Sequence, residues 1–210
     1  MPAPEIAQAA LPQDHAKTLG HVNLMVDTLI ANASIDEQVL RAITRTLLAT
    51  STPSLAASFT AAARSRLRQT NAKRIASTNR LFATGPDGIH AVPTADLGNV
   101  LARVRSLYGA GMGFSSIGQL SRVVSATIGL KWQREGSMAD ILAVIDADIC
   151  QAIQSCKEEI VGGRVADLAV ARDTISEIWA SIEQSSRDVA VWGGEFPFDK
   201  TAQSIQYWRI

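Results

Sequence analysis

The chain has 210 residues, 47 % of them apolar and 19 % charged, with 20 acidic and 20 basic side chains. That mixture excludes wholesale disorder, and the length allows a core that needs neither disulfides nor a structural metal. Aromatic residues make up only 5 %, which suits close-packed helices better than a sandwich of aromatic-rich strands.

The first ten residues, MPAPEIAQAA, carry no cation ahead of an apolar run, so no secretory signal is expected. No apolar run approaches the ~20 residues that a membrane span requires. The expected setting is the cytoplasm, which for a viral chain means the host cytoplasm or the virion, with no membrane partner.

Helical periodicity then recurs from end to end. Leu19, Val22, Val26, Leu29 and Ala33 form one apolar stripe and predict a helix over 14–33. The segment SIDE, with Ser34 and Glu37 in capping-box positions, opens a second helix expected to bury Ile35, Val39, Ile43 and Leu47. Thr52–Pro53 reads as a fresh cap with proline at the first helical position, and the third helix runs from there into the basic stretch RSRLRQTNAKR, residues 64–74.

The turn signal TGPDG at 84–88 is the clearest break in the chain. Beyond it Thr94 opens a helix with the stripe Leu97, Val100, Leu101, Val104 and Leu107. Ser115 or Ser116 is the expected cap of the next, which carries Ile117, Leu120, Val124 and Ile128, with Gly118 and Gly129 as weak points. Ser137 and Asp140 predict the start of a long helix, whose apolar face runs from Met138 through Ile141, Ile145, Ile149, Ile153 and Cys156 to Ile160, before Gly162–Gly163. Val165, Leu168, Ile175, Ile178, Trp179 and Ile182 mark another, and the tail holds a short helix from Asp199 to Trp208. No set of alternating runs points to a sheet. The expectation is all-α: a helical bundle of about six to eight helices with short loops. Residues 1–188 read as a single all-α domain with a sub-boundary available at the 84–93 turn, and 189–210 as an aromatic C-terminal arm.

Charge is strongly segregated along this neutral chain. Residues 1–40 carry a net −4, residues 41–134 a net +11, and residues 135–210 a net −7. A basic middle of this strength points to phosphate contacts, carried mainly by Arg64, Arg66, Arg68, Lys73, Arg74 and Arg80 and extended by Arg103, Arg105 and Arg122. Arginine predominates, and its planar fork suits two-point contact with phosphate oxygens. If 60–82 is helical, Arg64 and Arg68 share one face, while Arg66, Lys73 and Arg80 share another. Polar Gln69–Asn71 would lie between the two ridges. The competing expectation is that basic middle and acidic ends face each other, within one molecule or between copies, through surface ion pairs worth about 0–1 kcal/mol each.

Catalytic patterns are lacking. The glycines of YGAGMGFSSIG, 108–118, precede a helix start, as an anion loop would, but match neither GxGxxG nor a P-loop. His15, His21 and His90 share no face, and Asp146 and Asp148 lie ~200° apart on a helix, so no metal set forms and the acids of 146–148, 158–159, 177 and 183 read as solvated. Cys150 and Cys156, ~240° apart on a helix, are expected to be free buried thiols of a reducing compartment. No cofactor is implied.

Six of the eleven aromatics fall in the last 32 residues. They either close one end of the bundle or let Trp192, Phe196, Phe198, Tyr207 and Trp208 dock on a neighbouring subunit. The expectation from these features is a non-enzymatic, coat- or nucleocapsid-like protein. It would bind nucleic acid, RNA by class, without regard to sequence, and assemble as a homo-oligomer. The alternative is a helical adaptor or regulator that binds an acidic protein partner.

Overall fold

The computed structural model describes residues 37–70 and 80–208. The chain divides into two units at Ala57–Ser58. Seven helices and one short hairpin occur among the described residues, so the fold is an all-α helical bundle. None of these helices is long and apolar enough to cross a membrane.

Helix α1, Glu37–Thr50, lies in the first unit. Its apolar stripe is present, but Val39, Ile43 and Leu47 remain 47 %, 41 % and 51 % exposed. The expected burial is therefore corrected: spacing makes a helix amphipathic, but burial needs a covering surface, and no described residue supplies one. The helix expected over 14–33, Ser34 of the capping box, and Ile35 lie outside the described residues.

Helix α2 spans Pro53–Gln69, with Pro53 at its first position and the Thr52 carbonyl accepting the amides of Leu55 and Ala56. In the second unit it touches the bundle through Leu67, which packs on Leu107 and Met112. The hairpin β1 (Phe82–Thr84) and β2 (Ala91–Pro93) is antiparallel, with Ala83 opposite Val92. It corrects the expectation of no sheet. Strands of three residues are too short to show alternation, though the TGPDG turn that joins them is plain in the sequence. Asp87 folds that turn by accepting the amides of Ile89 and His90 at 3.0 and 2.9 Å, and its carboxylate pairs with the His90 ring. The backbone donors and the His90 ring hold Asp87 well below the usual carboxylate range.

Helices α3 (Ala95–Gly109), α4 (Gly113–Ser125), α5 (Ser137–Val161), α6 (Leu168–Trp192) and α7 (Asp199–Gln206) make the bundle. Helix α4 is its centre, packed against α3, α5 and α6. Ile117, Leu120, Val123 and Val124 are fully buried there, beneath Leu97, Leu101 and Val104 of α3 and Leu142, Ile145 and Ile149 of α5. Hydroxyls join α4 to α6, where Ser181 lies 3.0 Å from both Ser121 and Ser125.

Several helix starts differ from expectation. Helix α4 begins at Gly113, which puts Ser115 and Ser116 inside its first turn rather than at its cap. Helix α5 begins at Ser137 with Gly136 as its cap residue and no side-chain bond, so Ser137 and Asp140 do not cap it. Helix α6 begins at Leu168, beyond Val165, because the Asp167 carboxylate accepts the amides of Ala169 and Val170.

Gly113 sets how closely α4 approaches α5. A β-carbon there would sit 2.7 Å from the Ser155 carbonyl carbon and 2.8 Å from Cys156 Cα, both backbone atoms that cannot swing aside. Gly118, five residues on, has nothing within 4 Å of the same position. Gly113→Ala should therefore destabilise the protein by about 1–3 kcal/mol or prevent folding. Gly118→Ala should stabilise it by about 0.5–1 kcal/mol. Urea unfolding midpoints of the two variants check this, and equal shifts would contradict the packing described.

Candidate nucleic-acid interface

Helix α2 contains no acidic residue, and its last turns present Arg64, Arg66 and Arg68. Arg64 is half-buried, while Arg66 and Arg68 are exposed. Cations at a helix C-terminus are favoured by the partial negative charge of the free carbonyls. Arg64 Nη1 donates to the Ala110 carbonyl at 3.1 Å, which places this face of α2 beside the α3–α4 turn. Between the helices, Phe59, Ala63, Arg66 and Leu67 face Ser106 and Gly109 across a groove of about 420 Å³.

The two ridges expected over 60–82 fall in large part outside the described residues. Helix α2 is described as far as Gln69, and beyond it the Thr70 amide and hydroxyl both donate to the Arg66 carbonyl, at 3.0 and 3.1 Å. Lys73, Arg74 and Asn71 lie outside the described residues. Arg80 is exposed just before β1, and its carbonyl accepts the Thr94 hydroxyl, so it continues no face of α2. Arg103 and Arg122 are exposed on α3 and α4.

Arg105 has an internal partner. Its Nε lies 3.1 Å from both oxygens of Asp148 and its Nη2 lies 2.9 Å from Oδ2, a two-point pair. The Asp148 carboxylate is buried, and Tyr108 donates its hydroxyl to Oδ1 at 2.9 Å. The bond to Asp148 raises the Arg105 pKa further. Asp148 is therefore not a solvated acid, and neither is its neighbour Asp146, which accepts the Thr201 amide at 2.9 Å on the other side of α5. Glu159 also leaves the solvated set, because its Oε2 accepts the Phe114 amide at 3.3 Å. That carboxylate occupies the start of α4, where the glycine-rich loop would otherwise offer amides to an anion. Sequence spacing holds the signal for this set: Asp148, Ser155 and Glu159 fall at i, i+7 and i+11, on one face of α5.

The aromatic tail packs largely within its own chain. Phe198 is fully buried, and Trp192, Phe196 and Trp208 lie against the core. Trp192 meets Trp132 edge-to-face at 5.0 Å, Phe196 meets Phe198 at 5.9 Å, and Trp208 lies 6.4 Å from Phe114 with Lys157 over its ring. Tyr207 alone of the five is largely exposed, at 84 %. A cleft of about 640 Å³ opens beside Trp132, Trp192 and Phe196, with Asp146 and Lys200 in its wall.

Cys150 and Cys156 are free thiols, and burial pushes the Cys156 thiol up. Among the described residues no three His, Cys, Asp or Glu side chains are grouped to hold a metal ion. No protein-family model, curated protein or solved structure matches this chain.

Burial first, and then its bond to Asp148, raise the Tyr108 hydroxyl to about 12. A pKa raised on folding favours the protonated form, so this contribution to stability is complete below the ordinary tyrosine pKa of about 10 and is lost as pH rises through 12. In a Tyr207→Phe chain, which leaves Tyr108 as the sole tyrosine, absorbance at 295 nm should titrate near pH 12. Adding Asp148→Asn should lower that midpoint, and an unmoved midpoint would remove Asp148 as a cause.

Proposed function

We propose that this is a non-enzymatic nucleic-acid-binding protein that assembles with itself, of the coat or nucleocapsid class, holding RNA by its phosphates irrespective of sequence. The observation that carries the reading is the arginine run on α2. Arg64, Arg66 and Arg68 extend from a helix with no acid, and none of the three forms an ion pair among the described residues. Guanidinium groups of this kind on one short segment attract a polyanion, and each phosphate they engage releases condensed counterions. Arg105 is removed from the set, since Asp148 already neutralises it.

Assembly is supported by apolar surface that the described chain leaves uncovered, the stripe Val39, Ile43 and Leu47 on α1 and the ring of Tyr207. A second copy would bury such a stripe without forming any new secondary structure. The role of Trp192, Phe196, Phe198 and Trp208 in this reading is to anchor the last helix, which leaves Tyr207 as the outward contact.

Fluorescence anisotropy of a labelled single-stranded RNA, followed over ~50–200 mM salt, tests the interface. Changing Arg66 and Arg68 together to Ala should weaken binding and reduce the salt slope by about 0.7 for each phosphate that the variant no longer neutralises. An unchanged slope would remove α2 from the interface.

A further inference from the structure

The α3–α4 turn draws together two arginines from opposite regions of the charge map. Arg64 belongs to the basic middle, whereas Arg164 lies in the acidic last third, just after α5. They meet at Gly111, whose φ of +72° is a conformation that L side chains rarely adopt. A β-carbon on Gly111 would lie 3.4 Å from Arg164 Nη2 and 3.5 Å from Arg64 Nη1. The next atom outside that turn is Arg164 Cζ at 4.0 Å, so both guanidinium groups border one small space that a missing side chain leaves open.

Each arginine is steered there by a single backbone acceptor. Arg64 Nη1 donates to the Ala110 carbonyl at 3.1 Å, and Arg164 Nη2 to the Glu158 carbonyl at 3.1 Å. A guanidinium carries five N–H donors, so most of the bonding capacity of both groups remains. The neighbouring carboxylates are engaged elsewhere: Glu159 at the Phe114 amide, and Glu158 with the Gln154 side chain at 3.2 Å. Neither arginine forms an ion pair among the described residues. The two facing nitrogens are within about 7 Å of each other, close enough for the oxygens of one tetrahedral oxyanion at their open side to accept from both. Two like charges held this close repel each other until an anion lies between them.

We propose that Arg64 and Arg164, facing each other across Gly111, seat one backbone phosphate of the bound strand. The identity of the ligand rests on the nucleic-acid reading above; the seat itself rests on the two guanidinium groups. It brings one residue of the acidic third into the interface and fixes where the strand passes the end of α2.

Gly162 provides a test that changes no charge. Its φ of −77° accepts alanine, but the added β-carbon would collide with Arg164 Nη1, because the Arg164 side chain folds across this glycine. The variants are Arg64→Gln, Arg164→Gln, Gly162→Ala and the double glutamine chain. Two readouts are needed, the thermal midpoint in inorganic phosphate against chloride at equal ionic strength, and the salt slope for single-stranded RNA.

Phosphate should raise the midpoint of the native chain and of none of the variants. Each single variant should lower the slope by about 0.7, and the double variant by no more than either, since all remove the same phosphate. Native-like phosphate response and slope in Arg164→Gln and Gly162→Ala would overturn the seat while leaving RNA binding standing. A phosphate response abolished in the variants, from a native chain that binds no RNA, would uphold the seat and overturn the nucleic-acid reading. No phosphate response and no RNA binding by the native chain would overturn both.

Discussion

The architecture depends on how closely the backbone of α4 approaches α5, at Gly113 against Ser155 and Cys156. With any side chain at 113 the two helices would separate, and α4 could not sit among α3, α5 and α6. The polar face of α5 reinforces that approach. Asp148 holds Arg105 and Tyr108, Ser155 donates to the Tyr108 carbonyl at 2.8 Å, and Glu159 accepts the Phe114 amide. One stripe on one helix thus fixes the end of α3, the turn, and the start of α4. The opposite side of α5 does the same for the tail, where Asp146 accepts the Thr201 amide. The arginines at the turn inherit their positions from this frame.

Charge segregation in the sequence takes on two roles in the fold. Part of it closes internally, since Asp148 of the acidic third neutralises Arg105 of the basic middle, and Asp188 accepts the Gly129 amide at 2.9 Å. The expectation that basic middle and acidic end face each other thus holds for part of the charge, Arg105 with Asp148 and Arg134 with Glu195. The arginines of α2 stay outside those pairs. They have carbonyls and solvent for company, and their field is the basis of the proposed contact with a polyanion.

The helical stripes were legible because burial repeats at helical spacing: Leu97, Leu101 and Val104 in α3, and Ile145, Ile149, Ile153 and Cys156 in α5, all lie in the core. The chain punctuation at Pro53 and at 84–88 was equally readable. The polar residues of α5 were legible only as a shared helix face, and their bonding partners were not. Glu159 acts as the cap of a helix 45 residues away, and no local pattern announces a long-range bond. Arg164 stands among acids in the sequence, which hides it, while the fold delivers it to Gly111. For α1 the pattern announces an amphipathic helix, but exposure depends on what covers a face, which a pattern does not contain.

In the proposed function the native protein holds nucleic acid through phosphate contacts and does so in an assembly. The most direct measurement is the ratio of absorbance at 260 to 280 nm in freshly purified full-length protein, together with particle size, before and after a high-salt wash with nuclease. A high ratio in large particles that falls only after the wash is the expected result. A protein-only spectrum from the outset, in a particle of monomer or dimer size, would contradict it and direct the search to an acidic protein partner.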